Sequence, residues 1–226
     1  MNNYNLYVVA TPIGNLQDIT FRAIETLKNV DLILAEDTRQ TKKLLNFYKI
    51  DTQLLSYHAH NESIMSEKAD KLFKRSPNIA LVSDAGTPTI SDPGFVIINY
   101  CYENNIPVSP IPGPSAYTAL LSTCGFPIKE SLFIGFLPKK PEKRKKYLYN
   151  LLQHDKRTIV IYESPYSIKK LLNLLIEFND NILLVVGREL TKKYEEILRG
   201  KASDILNSFE TRVPKGEFTI IINNNN

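Results

Sequence analysis

The sequence has no apolar run near the roughly 18 residues that a membrane-spanning helix requires, and it reads as a soluble chain. Met1–Leu6 is polar and runs straight into a strand-like stretch, with no basic region, apolar core and cleavage site. No secretory signal is read there, and a cytoplasmic location is expected. Only two cysteines occur, Cys101 and Cys124, each inside an apolar helical pattern and not as Cys-x-x-Cys. That usage suits a reducing compartment and buried, inert thiols, not a disulfide, redox or metal role. Also missing are Gly-x-Gly-x-x-Gly and Gly-x-x-x-x-Gly-Lys-Ser/Thr, which disfavours a phosphate-cradling nucleotide site. No repeat occurs at a period of 20–50 residues, and the one low-complexity segment, Asn223–Asn226, is expected to fray. A strong charge of either sign is absent too: +4 with a pI near 8.9 permits an RNA partner without demanding one.

What is present is an alternation of short β-branched runs with segments of helical period, the pattern of parallel sheets with crossover helices. The runs are Leu6–Ala10, Asp31–Glu36, Leu54–His58, Ile79–Asp84, Pro107–Ile111, Leu132–Phe136, Thr158–Glu163, Ile182–Val186 and Phe218–Ile222. Helices are expected over Phe21–Asn29 and Ile168–Phe178, where Ile168, Leu171, Leu172, Leu175 and Ile176 recur at i, i+3, i+4 spacing. The proline-glycine cluster Ile111-Pro-Gly-Pro-Ser115 divides the chain into two α/β lobes, 1–112 and 113–226.

In open α/β sheets the ligand sits beyond the carboxyl ends of the strands, so the loops there carry the information. After the fourth strand comes Ser83-Asp-Ala-Gly-Thr-Pro-Thr-Ile-Ser-Asp-Pro-Gly94, stiffened by proline and opened by glycine, with Asp92 a candidate N-cap for a helix from Pro93. The second strand ends in Ala35-Glu-Asp-Thr-Arg39, with Thr38 a candidate N-cap and the charges read either as a site or as a local ion pair. His58 and His60, at i and i+2, project to opposite sides of an extended chain, and no third ligand is obvious, so no metal site is expected. Tyr162-Glu-Ser-Pro165, Gly187-Arg-Glu-Leu-Thr-Lys192 and Lys215-Gly-Glu217 gather further ionisable groups. The one dense basic run, Lys139–Lys146, reads equally as a phosphate contact and as a solvated helix start.

These residues resemble a known family, the tetrapyrrole-methylase-fold methyltransferases (class III), and within it the bacterial group that methylates a cytidine ribose in the decoding region of small-subunit (16S) ribosomal RNA. The motifs are Thr11-Pro-Ile-Gly-Asn15, Ala35-Glu-Asp-Thr-Arg39, His60-Asn-Glu62, Ser83-Asp-Ala-Gly-Thr-Pro88, Ser91-Asp-Pro-Gly94, Pro112-Gly-Pro-Ser-Ala116, Gly135-Phe-Leu-Pro138, Tyr162-Glu-Ser164, Arg188-Glu-Leu-Thr-Lys192 and Lys215-Gly-Glu217. Each is short, but ten in one order are specific. The resemblance implies a homodimer that binds S-adenosylmethionine in a cleft between the two lobes. By the same analogy the cofactor touches Ile13 and Gly14, then Ala85, Gly86, Thr87 and Ile90, then Ser115 and Ala116, Tyr162 and Glu163, and finally Leu190 and Thr191. Many members run on past the last strand, whereas this sequence stops at Asn226; the resemblance implies nothing about RNA contacts made there.

Methyl transfer to oxygen needs the acceptor in line with the methyl group, and a ribose hydroxyl needs its proton taken or its oxygen oriented. Asp37, Glu163 and Glu189 are the candidate acceptors, with Arg39 and Lys192 placing nearby phosphates; the residues do not rank them. The rivals are a methyltransferase of the same fold acting on a tetrapyrrole or a modified protein histidine, and an inert RNA-binding module using the basic run. The first is expected to carry Gly-x-Gly-Pro-Gly-Asp in its first loop, which Thr11-Pro-Ile-Gly-Asn15 does not match.

Overall fold

The computed structural model describes residues 4–224, and the chain forms two compact units that join in sequence between Ser115 and Ala116. In the first, β1 (Asn5–Val9), β2 (Leu32–Ala35), β3 (Leu54–Ser56), β4 (Asn78–Val82) and β5 (Val108–Ile111) form one sheet in the order β3-β2-β4-β1-β5. Every pairing in it is parallel. The residues explain why. β2 reads Leu-Ile-Leu-Ala and is buried along its whole length, as a strand covered on both faces must be. Alternate residues of β2 and β4 serve two cores: Ile33, Ala35, Ala80 and Val82 meet α1 (Phe21–Asn29) and α2 (Thr38–Phe47). Leu32, Leu34, Ile79 and Leu81 meet α4 (Ala69–Arg75) and α5 (Phe95–Glu103), with α3 (Glu62–Glu67) preceding them.

The second unit departs from the all-parallel expectation. Its strands are β6 (Ser131–Phe136), β7 (Thr158–Glu163), β8 (Leu183–Arg188), β9 (Glu196–Lys201) and β10 (Phe218–Ile222), in the order β6-β7-β10-β8-β9. Only β6 and β7 pair in parallel; β10 is antiparallel to β7 and β8, and β9 to β8. The β8–β9 connection is too short for a crossover helix, so the chain must turn back on itself. β9 was not among the expected strands. Its burial alternates along Glu-Ile-Leu-Arg-Gly-Lys, a charged edge strand without a β-branched run. α7 (Pro141–His154), α8 (Ile168–Asn179) and α9 (Ala202–Asn207) cover one face through Leu148, Leu152, Leu171, Leu175 and Ile205. On the other face α6 (Ala116–Leu121) presses Leu120 against Gly187, where a Cβ would lie 2.8 Å from a Leu120 methyl.

The expectation of a frayed tail is corrected at two residues. The Asn223 N–H donates to the Leu183 carbonyl at 3.0 Å, and the buried Asn224 amide donates to the Leu152 carbonyl at 2.9 Å. Asn225 and Asn226 lie outside the described residues, as do Met1–Asn3. Both cysteines are buried, and burial pushes the Cys101 thiol up to about 12, consistent with inert thiols. Among the described residues no helix is long and apolar enough to cross a membrane.

Candidate active site

β1 and β4 are neighbours, yet the chain leaves β1 for α1 on one face and β4 for α5 on the other. That divergence opens a crevice at the carboxyl ends of the two strands, the usual ligand position in such sheets. Three loops are cross-linked there. Thr11 and Gly86 exchange both backbone hydrogen bonds, at 2.8 and 3.0 Å. The Thr11 hydroxyl donates to the Ser83 carbonyl at 3.1 Å, and the Thr87 hydroxyl to the Pro114 carbonyl at 3.2 Å. Gly86 has φ +84°, and a Cβ on it would lie 3.3 Å from the Ile13 side chain and 3.7 Å from the Pro114 oxygen. Thr89 (φ 69°) and Ser91 (φ 76°) also lie in the left-handed region, at about 1–2 kcal/mol each for side-chain-bearing residues. Ile13 is buried, while Gly14, Ala85 and Ile90 remain exposed and Thr87 half-buried.

The loop is held from behind by the last residue of the His60-Asn-Glu62 motif, to which the sequence assigned no role. Glu62, on α3, accepts from Gly94 N at 2.9 Å, Val96 N at 3.1 Å and the Tyr57 hydroxyl at 3.1 Å. It thus supplies the cap for α5, whose own N-cap residue is Gly94, not Asp92.

Carboxylates crowd the adjoining strand ends. Ala35 pairs with Ser56 on one side and Val82 on the other, so Glu36–Asp37 emerges between Tyr57–His58 and Ser83–Asp84. Asp37, not Thr38, is the N-cap of α2: its Oδ1 accepts from Arg39 N at 2.8 Å. The Arg39 guanidinium closes on the same carboxylate at 3.0 and 2.7 Å and holds Asp37 down at about 2. Asp84 accepts from Asp37 N at 2.8 Å. Burial raises Asp84, and burial together with the Asp84 charge raises Glu36. His58 Nδ1 is buried without a hydrogen-bond partner. Among the described residues no group of three or more His, Cys, Asp or Glu side chains is placed to hold a metal.

In the second unit the expected residues fall into two groups. Tyr162, next to last in β7, lies in an aromatic cluster, with Phe133 at 4.9 Å and Phe136 at 5.9 Å between ring centroids, and its hydroxyl accepts from Tyr117 N at 3.2 Å. Glu163 beside it is buried and ion-paired with buried Arg144, while its other oxygen accepts from Ser164 N at 2.8 Å. Arg144, grouped with the basic run in the sequence, is therefore turned inward and unavailable to a phosphate. After β8, Glu189 (φ 50°) and Thr191 (φ 66°) bracket Leu190, which packs over Gly187. Lys192 binds Glu189 at 2.9 Å and Glu217 at 2.7 Å. Burial pushes Glu189 up, but the Lys192 and Glu217 N–H bonds outweigh it and lower the carboxyl overall. Burial likewise opposes the Lys192 charge, and its two carboxylate partners raise it overall.

A family model described as Tetrapyrrole (Corrin/Porphyrin) Methylases matches residues 5–206, which takes in both sheets except β10. The chain belongs to this family. Its relatives there include Ribosomal RNA small subunit methyltransferase I of Halalkalibacterium halodurans, 46% identical over 97% of this chain and 76% of that one. The Thermotoga maritima protein of the same name is 42% identical over 96% and 97% of the two chains. The chain thus falls in the small-subunit branch of the tetrapyrrole methylases. The fold is shared with a cobalt precorrin-4 methyltransferase (TM-score 0.69, 18% identity, 97% and 95% of the chains covered). Diphthine synthase is similar at TM-score 0.67 and 12% identity over 97% and 89%.

Seen as a tetrapyrrole methylase, the first unit brings Ile13, Gly14, Ala85, Gly86 and Thr87 together on one platform, closed by Pro114 next to Ser115. Ala116 opens α6. Asp37 and Arg39 are joined to each other, as are Glu189 and Lys192, whereas Glu163 stands apart in its pair with Arg144. Glu36 and Asp84 lie within quoted motifs but are not among the candidate acceptors; what raises their carboxyls is the meeting of neighbouring strand ends, which no local pattern reveals.

Proposed function

We propose that this chain uses S-adenosylmethionine to methylate 16S ribosomal RNA in the small ribosomal subunit, in the cytoplasm, at a cytidine ribose 2′-hydroxyl of the decoding region. The observation that carries this reading is 42–46% identity to proteins named for that subunit over nearly the whole chain. The platform around Gly86 supports it: its backbone, at φ +84°, bonds to Thr11, and a Cβ there would press on the Ile13 side chain at 3.3 Å, which makes a stiff cradle for a ligand. When bound, S-adenosylmethionine supplies a methyl group on a sulfonium centre. Gly14, Ala85, Gly86 and Thr87 hold it by backbone and small side chains, with the exposed Ile90 beside them. Glu36, Asp37 and Asp84 put negative charge at this edge, which suits a cationic ligand.

Among the carboxylates, Glu36 and Asp84 are the better proton acceptors for the ribose hydroxyl, because a base works best when its pKa is drawn toward the working pH. Asp37 is too acidic, and Glu163 and Glu189 are engaged by cations. Arg39, exposed along one side while bound to Asp37, contacts a phosphate; Lys192 and Glu163 act as positioning residues. We also assign the chain to a homodimer, through Phe95 and Tyr102, exposed on α5.

The test has two readouts. Fragments of 16S ribosomal RNA from cells with the gene are expected to be one methyl mass heavier at a single cytidine than those from cells without it. Calorimetry on folded Gly86→Val is expected to show cofactor affinity lowered at least roughly tenfold, since valine is strained at φ +84° and crowds Ile13. Identical fragment masses would refute the substrate, and unchanged affinity would refute the site.

A further inference from the structure

At the second sheet's edge the exposed side chains are of two kinds. β6, β7 and β8 all end there, because β10 runs antiparallel to both β7 and β8. Phe136 is the last residue of β6 and 60% exposed; Tyr166 follows the end of β7 and is 88% exposed; Tyr194, in the turn from β8 to β9, is 65% exposed. Aromatic rings this open cost free energy in water and contribute nothing to the core. Each has exposed lysines near it in the chain: Lys139 and Lys140 after Phe136, Lys170 after Tyr166, and Lys193 before Tyr194. Lys193 stands over the Tyr194 ring, its ammonium 5.6 Å from the centroid. Beside Tyr194, Glu217 is engaged by Lys192 and Glu195 by the Thr191 N–H.

We infer that Phe136, Tyr166 and Tyr194 form a stacking platform for unpaired bases of the RNA, with these lysines following its backbone. The inference rests on the reading of the substrate as ribosomal RNA and specifies the form in which that RNA is gripped. A duplex hides its base faces, whereas a single-stranded or looped segment offers them to aromatic rings, and a groove that pairs rings with cations binds such segments with little regard to sequence. Strands in a sheet lie about 4.8 Å apart, so rings borne by the ends of β6, β7 and β8 spread over roughly 15 Å, room for a few successive bases. Charge complementarity favours nucleic acid over a second copy of this chain, which carries the same +4.

The experiment titrates the full chain with a short unstructured oligocytidylate and with an RNA duplex of the same length. The single strand is expected to bind more tightly. Tyr166→Leu and Tyr194→Leu are each expected to weaken it roughly tenfold, and Tyr166→Phe and Tyr194→Phe to restore it. The salt slope is expected to stay unchanged, since no phosphate contact is removed. Leucine variants that bind the single strand like the wild type overturn the platform while leaving an RNA substrate intact. A molecular mass that falls in those variants with no change in RNA binding assigns the rings to a second copy and overturns it too. Wild-type protein that binds neither RNA defeats the substrate reading itself.

Discussion

Glu36 shows how a single carboxyl can trade stability for chemistry. Burial and the Asp84 charge raise it, so the folded protein holds this proton more tightly than the unfolded chain does. Stability therefore falls as pH rises from the ordinary carboxylate value through the raised folded one. Glu36→Gln is expected to remove that fall, leaving the protein at least as stable near neutral pH, while methyl transfer drops roughly 10²–10⁴-fold if Glu36 takes the ribose proton. Denaturant melts across pH and single-turnover methylation check the two halves; full activity in the variant would move the role to Asp84. Asp37 has the opposite sign, since Arg39 holds it at about 2. Its contribution is present above the ordinary aspartate value and is lost as pH falls toward 2, and screening by the water around the exposed Arg39 guanidinium makes it small. Glu163 belongs to neither case: removing Arg144 would strand a buried charge, so the pair fixes α7 to the end of β7 and is unsuited to moving protons.

α5 begins where it does because of a residue 32 positions earlier in the chain. The Glu62 carboxylate satisfies Gly94 N and Val96 N, two donors that a helix start leaves open, and anchors the Tyr57 hydroxyl, which in turn accepts from Ile97 N at 3.1 Å. Glu62→Ala is expected to cost about 1–2 kcal/mol of unfolding free energy and to speed amide exchange at Gly94 and Val96. Unchanged exchange there would show the cap to be dispensable. The same element marks how far the sequence could be read. Strand positions were legible because strands covered on both faces, such as β2 and β4, read as short continuous apolar runs, and Thr158–Glu163 and Phe218–Ile222 were located to the residue. The caps were not: short-range spacing pointed to Thr38 and Asp92, whereas Asp37 and a carboxylate from α3 provide them. β9 escaped notice because a charged edge strand lacks the apolar pattern used to find strands. The loops of the site were legible as motifs. The Arg144–Glu163 pair and the Glu217 partner of Lys192 were not, since each joins residues far apart in the chain.

At the scale of the whole molecule, the exposed rings on α5 set the expected assembly. Phe95 is 72% and Tyr102 67% exposed, and with half-buried Ile98 between them they form a stripe at i, i+3, i+7 on one helix. Tyr117 and Leu121 on α6 are both half-buried, which leaves the α5 rings as the larger apolar surface. A stable dimer buries about 800 Å² per partner, and a large aromatic ring covers roughly 150–250 Å², so two rings supply up to half or more of one side. In a two-fold interface each of them counts twice, once on each protomer. The pair is thus large enough to decide association, and neighbouring polar groups supply the rim. Phe95→Asp with Tyr102→Asp would bury four carboxylates across the axis with no cation to meet them, at a cost of several kcal/mol. Light scattering at micromolar concentration is expected to give twice the chain mass for the wild type and the chain mass for the double variant. Both should keep the same far-ultraviolet circular dichroism, because neither ring belongs to the core. A wild-type monomer would remove the dimer from the proposal, and a dimeric double variant would move the interface off α5.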